Sequence, residues 1–243
     1  MKRILGLTIA IALSGAALNV QAQTADEVIS KHQAAMGGEA KLKSIKSMIS
    51  EGQLQVQGME FPFKVSVISN TGMRVEFEAM GTKNIQVATP TGGWFLLPVQ
   101  QQTEPVDASA EDMKDVGSEL DLEGELVNAK AKGHTVELVG KDNTDGKETF
   151  KLKLTRKNGS VAYYFIDPAT YYITKRQSTA SMQGQQMELV TKMSEFKKTD
   201  DGYVYASVIE QAPMETKVVI SKVELNPEIT ASILEKPAKT PAK

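Results

Sequence analysis

From Met48 to Leu225 the chain returns repeatedly to one pattern, apolar and polar residues in alternation. Phe61, Phe63, Val65 and Val67 are interleaved with Glu60, Pro62, Lys64 and Ser66, and Met73, Val75, Phe77 and Ala79 with Arg74, Glu76 and Glu78. A period of two belongs to a strand with one face on a core and one face in water, the mark of antiparallel sheet. Leu54 and Val56 open the series, and Ile85 to Thr89 and Trp94 to Leu97 extend it. Gln57-Gly58, Met80-Gly81, Asp145-Gly146, Asn158-Gly159, Gln183-Gly184 and Asp201-Gly202 read as turns between strands. Asn158-Gly159 is the strongest hairpin signal, because both residues tolerate positive φ. This gives ten or eleven strands, and a sheet that long must curl. The expected class is mainly β with α: a single long antiparallel sheet curled into an incomplete, unclosed barrel with helices over its concave side.

Two segments depart from the alternation. Thr24-Ala25-Asp26-Glu27 is a capping box, after which Val28, Ile29, His32, Ala35 and Met36 recur at helical spacing until Gly37-Gly38 stops the helix. His32 therefore reads as a packed histidine, and His134 as an exposed one at a strand start. The second segment spans residues 99–125. Between 104 and 125 there are nine acids against the single Lys114, a local charge of −8, yet Ala110, Met113, Val116 and Leu120 form an apolar helical stripe. The spacing predicts one or two short amphipathic helices lying over the sheet, a lid whose sheet-facing residues are Met113, Val116 and Leu120. A solvated helix face accounts for the acids more simply than a docking surface for a basic partner.

The ends carry their own signals. Lys2 and Arg3, the apolar run Ile4 to Leu13 and small residues at Val20 and Ala22 predict a signal peptide over 1–22, cleaved before Gln23. The apolar run is too short to cross a bilayer of ~30 Å, which takes about 20 residues. Residues 23–234 are expected to form one domain, followed by a disordered Pro/Ala/Lys tail over 235–243. The expected location is the periplasm, as a soluble monomer.

Composition removes most chemistry. The 243 residues contain no cysteine and two histidines. That excludes disulfides, thiolate metal centres, a cysteine nucleophile, a lipidated N-terminal cysteine and a three-histidine metal site. Without residues 1–22 the chain carries 26 basic and 30 acidic residues, net −4, so no general basic field exists to hold nucleic acid. No nucleophile-elbow, P-loop or dinucleotide motif is present. Asp142-Asn143-Thr144-Asp145-Gly146 lacks the spacing and distal glutamate of a calcium loop and reads as a turn. No cofactor or metal is expected, and no enzymatic activity.

Several local stretches, in chain order, resemble the LolA/LolB-like superfamily of periplasmic outer-membrane lipoprotein-sorting and carrier proteins, in particular members from the Bacteroidetes. They are Ala25 to Ile29, Gly37-Gly38, Lys41 to Ile45, Gly93-Trp94-Phe95-Leu96-Leu97-Pro98, Tyr163 to Tyr171 and Asn226-Pro227-Glu228-Ile229. The resemblance implies an unclosed barrel with a helical lid over an apolar cavity that shields acyl chains. It also implies an arginine that hydrogen-bonds the lid. Arg74 is the nearest candidate for that latch, displaced by several residues from the family's position.

On this reading Phe61, Phe63, Val65, Met73, Val75, Phe77, Trp94 and Leu96 line one concave, lipid-binding surface. The ten methionines after the signal segment suit a cavity that adapts to flexible alkyl chains. The expected function is a carrier of lipid or acylated lipoprotein toward the outer membrane, exchanging cargo with inner- and outer-membrane transfer proteins. The alternative is a non-catalytic envelope protein-interaction module on the same fold with a filled core. A hydrolase using Glu76 or Glu78 is disfavoured, because both sit opposite the apolar set.

Overall fold

The computed structural model describes residues 23–109, 113, 116–182 and 185–237. The expected signal peptide, Ala110 of the lid stripe, the Gln183-Gly184 turn and residues 238–243 lie outside these. Thr24 caps α1 (Ala25–Ala35), its hydroxyl accepting from Glu27 N (3.2 Å) while the Glu27 carboxylate accepts from Thr24 N (3.1 Å). Gly37 and Gly38 then take positive φ (120° and 92°) and turn the chain into α2 (Glu39–Ser44).

The first strands form a meander: β1 (Ser47–Val56), β2 (Met59–Ile68), β3 (Gly72–Ala79), β4 (Thr82–Thr89), β5 (Gly92–Leu96) and the short β6 (Val106–Asp107). A second meander contains β7 (Thr135–Thr144), β8 (Lys147–Thr155), β9 (Val161–Ile166), β10 (Ile173–Met182), β11 (Gln185–Lys198), β12 (Val204–Ala212) and β13 (Thr216–Leu225). β13 then pairs antiparallel with β1, so one thirteen-stranded sheet runs β6-β5-β4-β3-β2-β1-β13-β12-β11-β10-β9-β8-β7. β6 and β7 remain its two outer edges, and the sheet does not close into a barrel.

Three features differ from expectation. β6 is a strand inside the acidic segment, which carried no alternating signal. Among the described residues of the lid the helix is the four-residue α3 (Val116–Glu119), with turns after it up to Gly133. Gly117, Asp121 and Gly124 are poor helix formers, and Gly124 takes φ 89°. The Asn158-Gly159 connection spans five residues, and only Gly159 has positive φ (85°). Asn158 instead accepts from Ser160 N (3.0 Å) through its side chain.

Two plugs cover the flanks of the concave face. α1 and the turns that follow α3 seal the β8–β9 flank: Val28, Ile29, Leu126 and Ala129 pack on Phe150, Leu152, Leu154, Ala162, Tyr164 and Ile166. The lid seals the β2–β4 flank, with Val116 and Leu120 buried on Val67, and Met113 and Leu122 packed beside them.

At the β1–β13 seam the register shifts between Glu51 and Gly52, where the two backbones meet closely. A Cβ on Gly52 would stand 2.0 Å from the Val219 carbonyl oxygen. Gly52→Ala should therefore destabilise the protein by about 2 kcal/mol or more, read as a lower urea midpoint. An unchanged midpoint would show that the seam yields freely.

Candidate functional site

Residues two apart on a strand share a face, and cross-strand partners carry that face through the sheet. Val65 pairs with Val75, and Met73 with Ala88; Phe63 pairs with Phe77 and Leu54 with Phe61. Phe61, Phe63, Val65, Met73, Val75 and Phe77 thus lie on one face, the concave one. Val65 and Met73 are packed against the lid cluster of Val116 and Leu120, with Met113 beside them. Phe61, Phe63, Val75 and Phe77 carry the same face toward the β1–β2 and β3–β4 hairpin ends and are half-buried.

Trp94 and Leu96 do not belong to that surface. Trp94 pairs with Val87 and Leu96 with Ile85, and in the next register these oppose Arg74 and Glu76. All are on the convex face, where Ile85, Val87 and Trp94 form a separate core with Leu96 and Leu234. The reason is a parity change at the β4–β5 hairpin: Gly93 and Phe95, not Trp94, share the face of Ala88.

Arg74 is not the lid latch, since alternation points it away from the lid. Its guanidinium donates to the Ile233 carbonyl (3.0 Å) and to Glu76 (3.0 Å), and it lies 5.9 Å from the centre of the Trp94 ring. Trp94 Nε1 donates to the Leu234 carbonyl (2.9 Å). Together they fasten a C-terminal 3-10 turn (Ala231–Leu234) to the back of β3–β5. Burial raises the Glu76 pKa, but Lys83 (2.7 Å) and Arg74 outweigh it and hold the carboxyl below its ordinary value.

The open space lies between the two plugs. It is a cavity of about 440 Å³ whose floor is formed by Met48 of β1, Met193 of β11, Ile209 of β12, and Ile220 and Val223 of β13. Met36 just after α1, Leu42 of α2, Phe196 and Leu122 wall it. The lid backbone from Ser118 to Gly124 forms the remaining side and brings Glu119, Asp121 and Glu123 to that edge. None of the eight sequence-expected lining residues borders this cavity. The signal missed was in β13, where Val218-Val219-Ile220-Ser221-Lys222-Val223 shifts its alternation by one residue at the bulge opposite Gly52.

His32 also borders the cavity. It is buried, and its Nδ1 lies 2.8 Å from the Tyr171 carbonyl oxygen, to which it donates. Burial lowers its pKa more than this bond raises it, so the ring is neutral at pH 7 and adds no charge to the wall.

Beside the cavity stands a buried ionic group. Glu125 accepts from Arg156 Nε and Nη2 (2.8 Å for the latter) and from the Tyr164 hydroxyl (2.5 Å). Burial pushes the Glu125 pKa up, but Arg156 and Tyr164, with the charge of Arg176, outweigh it and keep the carboxylate ionised below its ordinary value. Tyr164 is driven the other way by burial and by Glu125, so it stays protonated as a donor. Among the described residues no group of His, Asp and Glu could hold a metal ion, and no helix is long and apolar enough to cross a membrane.

No protein-family model and no curated relative matches the sequence. Solved structures do match. A LolA superfamily protein from Nitrosomonas europaea aligns over 88% of this chain and 99% of its own, with TM-score 0.55 and 12% identity. The fold is LolA-like. A DUF1329 family protein from Desulfovibrio piger (TM-score 0.56, 14% identity) covers 86% of this chain and 97% of its own. A domain from Vibrio parahaemolyticus assigned to outer membrane lipoprotein sorting (TM-score 0.53, 14% identity) covers 85% of this chain and 94% of its own. In this LolA-like sheet the lid comes down on Val65 and Met73 of the sequence-expected surface.

The Glu125 group gives a signed prediction. Arg156→Met leaves a buried carboxylate with too few partners and should cost roughly 3–5 kcal/mol at pH 7. Burial then dominates and raises the folded-state pKa of Glu125 above its unfolded value, so protons bind the folded state preferentially. The deficit should therefore shrink as pH falls from 7 toward 5, whereas the native protein loses the Glu125 contribution only as pH falls below the ordinary carboxylate range. Urea titrations at both pH values decide it, and a deficit independent of pH would refute the assignment.

Proposed function

We propose that this protein is a soluble, non-catalytic carrier that holds a lipid acyl chain, free or on an acylated lipoprotein, in the cavity between α1, the lid and β11–β13. The observation that supports this most directly is an apolar space of about 440 Å³ left uncovered between two well-packed flanks. That volume lies within the range of small-molecule and lipid sites. The likeness to a lipoprotein-sorting domain supports the same reading. With the sequence-predicted signal peptide, it supports a carrier that works in the periplasm, moving cargo toward the outer membrane and exchanging it with transfer proteins of the two membranes.

Burying each methylene is worth ~0.8 kcal/mol, about what a membrane also offers, so loading and release turn on small differences in lid packing and docking, not on covalent chemistry. A filled interaction module would show throughout the packing of the β2–β4 flank. Uncovered Met193, Ile209 and Ile220 favour the carrier over it.

Native mass spectrometry of the purified protein should reveal a co-purifying lipid or acylated peptide. Ile209→Trp, which fills the cavity, should lower occupancy at least about tenfold without lowering the thermal midpoint, as expected for loss of a few buried methylenes. A lipid-free native protein that also fails to bind a neutral fluorescent alkyl probe would overturn the reading.

A further inference from the structure

Cross-strand register places Tyr164 of β9, Arg176 of β10, Thr191 of β11 and Gln211 of β12 side by side in a single row. The row shares the face of Met193 and Ile209, which floor the cavity, and lies two residues along each strand, about 7 Å away. Polar groups on the concave face of a sheet need a reason, and three observations supply one.

First, the Arg176 Nε is shut off from solvent and has no hydrogen-bond partner, alone among buried side-chain nitrogens and oxygens of the described residues. Second, the nearby carboxylate is already engaged, because Arg156 and Tyr164 hold both oxygens of Glu125. One carboxylate thus faces two guanidiniums, leaving about one positive charge without a protein counter-ion on a half-buried Arg176, an arrangement that favours an incoming anion. Third, Thr191 and Gln211 add side-chain donors in the same row, and neither forms a side-chain hydrogen bond with another described residue. Of the acids that the lid brings to the cavity wall, Asp121 and Glu123 pair with Lys132.

We propose that Arg176, with Thr191 beside it and Gln211 next in the row, is the receptor for the anionic head of the bound amphiphile, a carboxylate or a phosphate ester, whose alkyl chain runs over Met193 and Ile209 into the cavity. This rests on the carrier reading and narrows it: the cargo is an acidic lipid, selected by its charge and not by its chain alone. Arg176 offers a planar fork suited to either oxyanion.

Displacement of a neutral fluorescent alkyl probe tests this with two matched pairs, palmitate against methyl palmitate and palmitoyl lysophosphatidate against monopalmitoylglycerol. The native protein should prefer at least one acid over its neutral partner by about tenfold or more, the factor given by about 1.4 kcal/mol. Whichever pair shows the preference identifies carboxylate or phosphate as the head. Arg176→Gln should bring the acid to the level of its neutral partner and leave the neutral ligand unchanged; Arg176→Lys should retain part of the preference. The comparison within the native protein needs no variant, so it stands even if Arg176→Gln fails to fold. Equal binding of acid and neutral ligand by the native protein, or a preference that survives in folded Arg176→Gln, would overturn the assignment and leave the carrier reading intact. If no ligand of either pair displaces the probe, and the probe itself does not bind, both fall.

Discussion

The concave face of the thirteen-stranded sheet is the constraint on which the rest depends. An open antiparallel sheet must cover one apolar face, and this chain has little helical material with which to do so. α1 and the turns around Leu126 cover the β8–β9 flank, while Val116 and Leu120 cover the β2–β4 flank. The strands between, β11, β12, β13 and β1, are left with a partial roof from α1, α2 and the lid backbone. A cavity here needs no dedicated scaffold, because it is the part of the face that two short plugs do not reach.

Charge is handled with the same economy. The acidic lid segment does not simply face solvent. Asp121 meets Lys132 at 2.6 Å, and Glu125 turns inward to the buried Arg156. Glu125 thereby ties the turns after α3 to the β8–β9 connection and to β9 by directional bonds, where apolar packing alone would permit sliding. On the opposite face Arg74 and Trp94 perform the equivalent task for the C-terminal turn, each using a backbone carbonyl as acceptor.

Much of the fold was legible because it rests on local periodicity. The capping box, the glycine stop and the strands from Leu54 to Leu97 are written in side-chain alternation and turn chemistry. The site was less legible, since a cavity depends on which apolar stretch remains uncovered, and that is decided by distant packing. Phe61, Val65 and Met73 share a face, as their spacing says, but nothing in the sequence tells that the lid comes down on Val65 and Met73 and leaves Met193 and Ile209 bare. Trp94 and Leu96 were assigned to the wrong face because alternation fixes parity within a strand and not across a hairpin. Arg176 was hidden for a related reason: in Lys175-Arg176-Gln177 it looks like one charge among several on a wet strand, and only register brings it beside Tyr164.

The seam between β1 and β13 has a consequence for biosynthesis. These are the first and last strands of the sheet, separated by some 160 residues, and each half of the sheet meets the other only there. A chain emerging N-terminus first can form the β1–β5 meander early, but that half keeps a bare β1 edge until residues 216–225 arrive. Its back layer waits longer still, for Ile233 and Leu234 to reach Arg74 and Trp94. Such long-range closure slows folding and leaves the β1 edge unpaired until the last strand of the chain arrives.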